Sequence, residues 1–363
     1  MESTHQAAGG TILCFIESLE AGGAQRQLIA LADMLQRNTF QPVFVTYYHD
    51  NFYAPELERR GIRHVELPMG SKAKRIADFW KVLKREKPTA VFSYSESSSM
   101  ILCVLRAMQH FRLIVSERNT SQKASAMERL RFQLYRLADH VVSNSTSQAE
   151  FIKRNASFLA EKTVVINNYL DTTHFKPATP DRTSTERRML VLARIAPQKN
   201  TKRFIQALKG VKDDGFRLHI DWYGQHFEPY HTECLNMMEE QGVSDMLHIH
   251  PAASQVEKLY CNYDALCLPS IFEGFPNVVG EAMSCALPVV CGDVCDNRLI
   301  VGEENGNLLF DPYDIADMKA KIEQFCQLDS RQLRAIGEAN RERAVQLFAP
   351  GKFESEYLKL LQP

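Results

Sequence analysis

Two glutamates eight positions apart, Glu273 and Glu281, are the residues best placed to do chemistry in this chain. An apolar stretch, Ala265 to Leu268, ends at Pro269-Ser270 and reads as a buried strand. A turn, Phe272-Glu273-Gly274-Phe275, follows. Pro276 suits the first position of a helix, where its missing N–H costs nothing. A short helix is predicted over Asn277 to Cys285, and Pro288-Val289-Val290 starts the next strand. A helix start offers unpaired backbone N–H groups and partial positive charge, which suits a phosphate. Here those donors come from about Asn277, Val278 and Val279. Glu281 lies a turn into the helix and Glu273 on the loop, so the carboxylates can face one cleft from different sides. Each can accept two hydrogen bonds from vicinal hydroxyls. The chemistry implied is that of a nucleotide sugar, with one Glu for the ribose and one for the transferred sugar. Two solvated glutamates near a helix start account for the spacing equally well.

Three further groups stand just after predicted strands. Arg194 and Lys199 follow the strand Met189 to Ala193; a guanidinium fork and an ammonium point charge there suit a diphosphate, or an ordinary surface. Gly22-Gly23 follows the strand Thr11 to Ile16 and would let the backbone come close to a ligand, or simply make a tight turn. Ser116-Glu117-Arg118-Asn119 is polar directly after a strand; Glu117 or Arg118 can orient a hydroxyl, or form a structural salt bridge.

The elements that must position these groups alternate. Val43–Thr46, Ile62–Leu67, Ala90–Tyr94, Leu113–Ser116, His140–Asn144 and Thr163–Ile166 read as strands. Segments near 54–60, 73–86, 98–110, 124–138 and 146–155 read as helices. Alternating β and α segments imply a parallel, doubly wound sheet, whose ligands sit at the carboxyl ends of strands. The polar, proline-bearing stretch from Asn167 to Arg188 reads as a linker. The alternation then restarts through Leu218–Trp222, Leu247–His250, Ala265–Leu268 and Pro288–Cys291, with helices over Thr201–Lys212, Ile315–Phe325 and Gln332–Leu347. Boundaries of 1–175, 176–187 (linker), 188–346 and 347–363 (a final helix) follow.

At 363 residues the chain is too long for one ordinary core. With 45% hydrophobic and 24% charged residues it has the composition of a soluble globular protein. No apolar run approaches a membrane span, and the first residues do not read as a secretory signal. The nine cysteines match no zinc spacing and suit a reducing cytoplasm. The first half is net basic and the second net acidic, so the first half is expected to meet something anionic. Its basic residues fall in two stretches: Lys72, Lys74, Arg75, Lys81, Lys84, Arg85 and Lys87, then Lys123, Arg129, Arg131 and Arg136. Interleaved with apolar residues, these can lie on an anionic membrane surface, or form a solvated helix face. No nucleic-acid motif accompanies them.

The run Glu273 to Met283, followed by Pro288-Val289-Val290, resembles the E-x7-E signature of retaining, nucleotide-sugar-dependent glycosyltransferases of the GT-B fold, family 4. The Gly22-Gly23 loop, the Asn168…Asp171…Phe175…Pro177 segment, the Arg194/Lys199 pair and Asn305-Gly306-Asn307-Leu308 resemble that family in the same order. The resemblance implies two Rossmann-like domains facing a cleft, with the last helix crossing back to the first. It implies that Arg194 and Lys199 hold the leaving diphosphate, that Glu281 holds the ribose, and that Glu273 with Gly274 and Phe275 holds the sugar. Tyr223-Gly224 would lie under the base, and Gly22-Gly23 beside the phosphates. The donor implied is a UDP-sugar, with no metal and no cofactor. The acceptor implied is a lipid-linked saccharide at the cytoplasmic membrane face, as in surface-polysaccharide or lipopolysaccharide synthesis. A sugar-nucleotide epimerase of the same fold and a non-catalytic nucleotide-sugar-binding module are the alternatives. The sequence departs from the family pattern in two places. Ser116-Glu117-Arg118-Asn119 holds no histidine, and Asp293, Asp296 and Asn297 stand where Gly-Gly and Glu are usual.

Overall fold

A computed structural model describes residues 9–20, 22–118, 123–179, 186–253 and 255–362. The chain forms two compact units, Met1–Tyr169 with Gly351–Pro363, and Leu170–Pro350. The first division therefore falls ahead of the 176–187 segment, part of which lies outside the described residues.

Unit 1 alternates strictly: β1 (Thr11–Phe15), α1 (Gly23–Arg37), β2 (Gln41–Thr46), α2 (Ala54–Arg59), β3 (Arg63–Glu66), α3 (Lys72–Glu86), β4 (Ala90–Ser93), α4 (Glu96–Arg106), β5 (Arg112–Glu117), α5 (Ala126–Tyr135), β6 (His140–Ser143), α6 (Thr146–Asn155) and β7 (Thr163–Val165). Its sheet runs β3-β2-β1-β4-β5-β6-β7, with every neighbour parallel. Leu13 faces Val43 and Val91 across β1. The strands are apolar without alternation because helices cover both faces. Leu13, Phe15, Val43 and Val91 belong to one core; Ile12, Cys14, Phe44 and Phe92 belong to the other.

Unit 2 repeats the plan: β8 (Arg188–Leu192), α7 (Thr201–Asp213), β9 (His219–Tyr223), α8 (Tyr230–Glu240), β10 (Leu247–His250), β11 (Ala265–Leu268), α9 (Asn277–Ser284), β12 (Val289–Gly292), α10 (Asn297–Gly306), β13 (Leu309–Phe310), α11 (Ile315–Gln327) and α12 (Ser330–Leu347). Its parallel sheet runs β10-β9-β8-β11-β12-β13. The last helix, α13 (Pro350–Lys359), places Phe353 and Tyr357 in a core of unit 1, and Leu360 just past it joins them.

Two helices have no clear trace in the sequence. Only Cys234 and Met238 of α8 are buried, too few for a visible stripe. In α10, Gly302 at φ 75° interrupts the helical backbone and with it the period. Pro276 stands one place ahead of the predicted position, as the residue capping α9.

Candidate active site

In unit 2 the site is built on the ends of β8 and β11. The turn Pro197–Lys199 after β8 docks on the loop after β11: Ile271 N donates to Gln198 O at 2.9 Å, and Gln198 Nε2 to Phe272 O at 3.0 Å. That docking brings Lys199 Nζ to 2.5 Å from Glu273 Oε1. Both side chains are mostly buried, so the pair is screened less than a surface ion pair. Arg194 pairs with neither: it is exposed and makes no hydrogen bond or ion pair among the described residues.

Cys295 holds the same loop from behind. Its thiol accepts from Glu273 N at 3.2 Å and donates to Glu273 O at 2.7 Å. Cys295 adopts φ 51°, a left-handed conformation uncommon outside glycine. No short-range pattern links it to Glu273, and the sequence reading did not find it.

The amides expected to receive a phosphate are partly engaged. Asn277 N donates to Phe275 O and Val279 N to Pro276 O, each at 3.0 Å. The N–H groups of Gly274, Phe275 and Val278 make no hydrogen bond among the described residues. The open donors thus extend from the helix start back into the loop. Glu281 lies on the buried side of α9, 2% exposed, and Tyr260 Oη donates to its Oε2 at 2.8 Å.

Tyr223 ends β9 and stacks on His250, ring centroids 4.5 Å apart. Gly224 follows because nothing larger fits: a Cβ there would lie 1.9 Å from Ala193 O. Beyond it a cavity of about 370 Å³ is lined by Gly224, Gln225, His226, Phe227, Pro251 and Ala252.

Unit 1 holds a separate cavity of about 750 Å³ at the ends of β1, β4 and β5. Glu17 lies in its wall and accepts from Ser95 Oγ at 2.7 Å and Ser97 Oγ at 2.9 Å. Burial alone would raise this carboxyl. Hydrogen bonds from Ser95, Tyr47 and Ser97 and the charge of Arg75 outweigh it and hold Glu17 below the usual carboxylate range. Gly22 caps α1 in extended conformation, with the Gln25 side chain where its own Cβ would be; Ala24 and Gln25 line the cavity.

Glu117 and Arg118 part company. Glu117 is 1% exposed, and Arg131 Nη2 (3.1 Å), Tyr135 Oη (2.6 Å) and Gln148 Nε2 (3.4 Å) donate to it. This is a buried structural network, and burial raises the Glu117 carboxyl against the pull of Arg131. It also takes Arg131 out of the basic face to which the sequence assigned it. Arg118 instead lines the cavity. Asn119 lies outside the described residues. Among the described residues no three His, Cys, Asp or Glu side chains cluster as a metal site, and no helix is long and apolar enough to cross a membrane.

Comparison with known proteins accords with this geometry. The family model "Glycosyltransferase Family 4" matches residues 21–174 and "Glycosyl transferases group 1" matches 174–343. The chain is 32% identical to the MMP alpha-(1->4)-mannosyltransferase of Mycolicibacterium hassiacum, over 31% of this chain and 28% of that protein. It therefore spans well under two thirds of that relative. It is 21% identical to the amylovoran biosynthesis glycosyltransferase AmsD of Erwinia amylovora, over 78% of this chain and 80% of that one. The crystal structure of Anabaena Alr3699/HepE with UDP-glucose superposes with a TM-score of 0.84 at 18% identity, covering 97% of this chain and 99% of that one. Two successive parallel-sheet units, an E-x7-E loop pinned to a strand-end lysine, and both family models in order place the chain among the GT-B glycosyltransferases of the family 4 type.

Proposed function

We propose that the chain is a retaining glycosyltransferase that moves a sugar from a UDP-sugar to a lipid-linked saccharide in bacterial polysaccharide synthesis. The observation that carries this reading is the Lys199–Glu273 pair beside the open amides of Gly274, Phe275 and Val278. An ammonium has three N–H donors, and Glu273 occupies one. The remaining two can meet a diphosphate oxygen without breaking the pair. Arg194, exposed and without an ion pair among the described residues, supplies a second cation. Together they neutralise charge as the diphosphate leaves. Glu273 accepts from the sugar hydroxyls and Glu281 from the ribose, and the cavity beyond Gly224 takes the base. Cations in this role replace a divalent metal, so the reaction runs without one.

The acceptor belongs to the cavity of unit 1. Its lip at Ile76 continues along α3 through Trp80 to Lys84, whose ammonium lies 5.3 Å from the Trp80 ring centre. Ile76 is 42% and Trp80 39% exposed, beside Lys74, Lys81 and Arg85. Apolar side chains among lysines suit an anionic bilayer surface. Co-sedimentation with phosphatidylglycerol vesicles that falls with added salt supports this placement; retention indifferent to salt and lipid charge contradicts it.

The function is tested by a donor screen across UDP-, GDP- and ADP-sugars in EDTA, comparing wild type with Lys199→Ala and Glu281→Ala. Turnover of one UDP-sugar, lost in both variants, supports the transferase. Conversion of the donor to an isomer without acceptor identifies an epimerase, and donor binding without turnover a binding module.

A further inference from the structure

Arg118 is a cation without a counterion among the described residues. Its Nη1 donates to Asn168 Oδ1 at 2.8 Å, its Nη2 to Tyr357 Oη at 2.9 Å, and its guanidinium lies 3.9 Å from the Tyr94 ring centre. All three partners are neutral. A guanidinium carries five N–H donors, so three remain, and the Nε donor is buried and unmatched. A charge partly withdrawn from water without a charged partner is costly unless a ligand brings one. Two neighbours on the same cavity wall share the deficit: Ser116 Oγ and Arg131 Nε are buried and unsatisfied in side chains only 3% exposed.

The carboxylates of this cavity do not answer Arg118. Glu96 pairs with Arg131, and Glu17 is held by Ser95 and Ser97 with Arg75 nearby. Glu20 is exposed on the rim. The wall therefore offers hydrogen-bond acceptors for hydroxyls on one side and one uncompensated cation on the other. We propose that this cavity binds an acceptor carrying a phosphate or diphosphate next to its sugar, with Arg118 as the residue that holds the anionic group. This deepens the transferase reading and rests on it for the word acceptor; the anion site itself does not depend on turnover. Such an acceptor must come from a reaction that attaches a sugar to a phosphate.

The test is calorimetry on the full chain saturated with UDP, which fills phosphate positions in unit 2. Glucose 1-phosphate and inorganic pyrophosphate are titrated against glucose. The proposal predicts that wild type prefers glucose 1-phosphate to glucose at least tenfold. Arg118→Gln loses that preference, and Arg118→Lys, with the charge but not the fork, keeps part of it. Circular dichroism checks the fold, since Arg118 also ties Tyr357. Where Arg118→Gln does not fold, Arg118→Lys and wild type decide. Equal affinity of wild type for glucose and glucose 1-phosphate overturns the proposal. So does an unchanged preference in folded Arg118→Gln, or a preference in Arg118→Lys equal to that of wild type. Failure of UDP to bind counts against the donor reading alone, because the Arg118 comparison still stands. Transfer assays separate the sources: a prenyl diphosphate-linked sugar in detergent represents the lipid-borne form and glucose 1-phosphate the free one. Use of either above a neutral sugar supports the anion site, and equal use of the neutral sugar contradicts it.

Discussion

Lys199 Nζ lies 2.5 Å from Glu273 Oε1, although the two residues are 74 positions apart and reach each other from the ends of different strands. The pair fixes an ammonium at the mouth of a loop with three open amides. Lys199→Ala is expected to lower kcat roughly 100- to 1,000-fold, the usual effect of removing one donor that stabilises developing charge. Glu273→Gln keeps a hydrogen-bonding partner for Lys199 and is expected to cost less in kcat than in donor KM. Steady-state kinetics with the donor found in the screen separate the two.

The two-way clamp of Cys295 on the Glu273 backbone gives a prediction of opposite signs. Cys295→Gly relieves the left-handed backbone at φ 51° and is expected to leave Tm unchanged or higher. It frees the loop all the same, so donor KM rises severalfold. Cys295→Ser keeps a donor and an acceptor and is expected to stay close to wild type. A Cys295→Gly enzyme with unchanged KM would remove Cys295 from the site.

Gly224→Ala tests the closeness of β8 and β9. Its Cβ would stand 1.9 Å from Ala193 O, a backbone atom that cannot rotate away. The expected loss is about 3 kcal/mol, at the upper end for overpacking, read as a lower urea midpoint at unchanged m.

Asp221 contributes to the acid sensitivity of unit 2. Burial alone would raise its pKa, but hydrogen bonds from His250, Tyr263 and Arg188 and the charge of His219 bring it from 3.8 to about 2. The folded value is depressed, so the stabilisation is complete above the unfolded pKa near 3.8 and disappears as pH falls toward 2. Its size is on the order of 2 kcal/mol. Asp221→Asn is expected to be less stable at neutral pH and to lack this part of the acid transition in urea titrations from pH 5 to pH 2.

Much of the loop and helix around Glu273 and Glu281 was legible because its signal is contiguous. Strand, loop and helix from Ala265 to Val290 are one run of chain, and Glu273 on the loop and Glu281 on the helix fall within it. The partners that hold them were not legible. Tyr260 and Cys295 reach Glu281 and Glu273 across 21 and 22 positions and follow no period. At the end of β5 the four polar residues look alike in sequence. There Glu117 turns into a buried network while Arg118 lines the cavity, a difference set by Arg131, Tyr135 and Gln148 on later helices. For the same reason Arg131 reads as part of a basic face and is in fact buried.

The central claim is transfer with retention from a donor held by Lys199, Glu273 and Glu281. It is tested most directly by the anomeric configuration of the first product, followed by proton NMR with a UDP-sugar labelled at its anomeric carbon. The expected product has the same configuration as the donor, in EDTA, and its signal is absent in Lys199→Ala on the same timescale. A product of inverted configuration would contradict it.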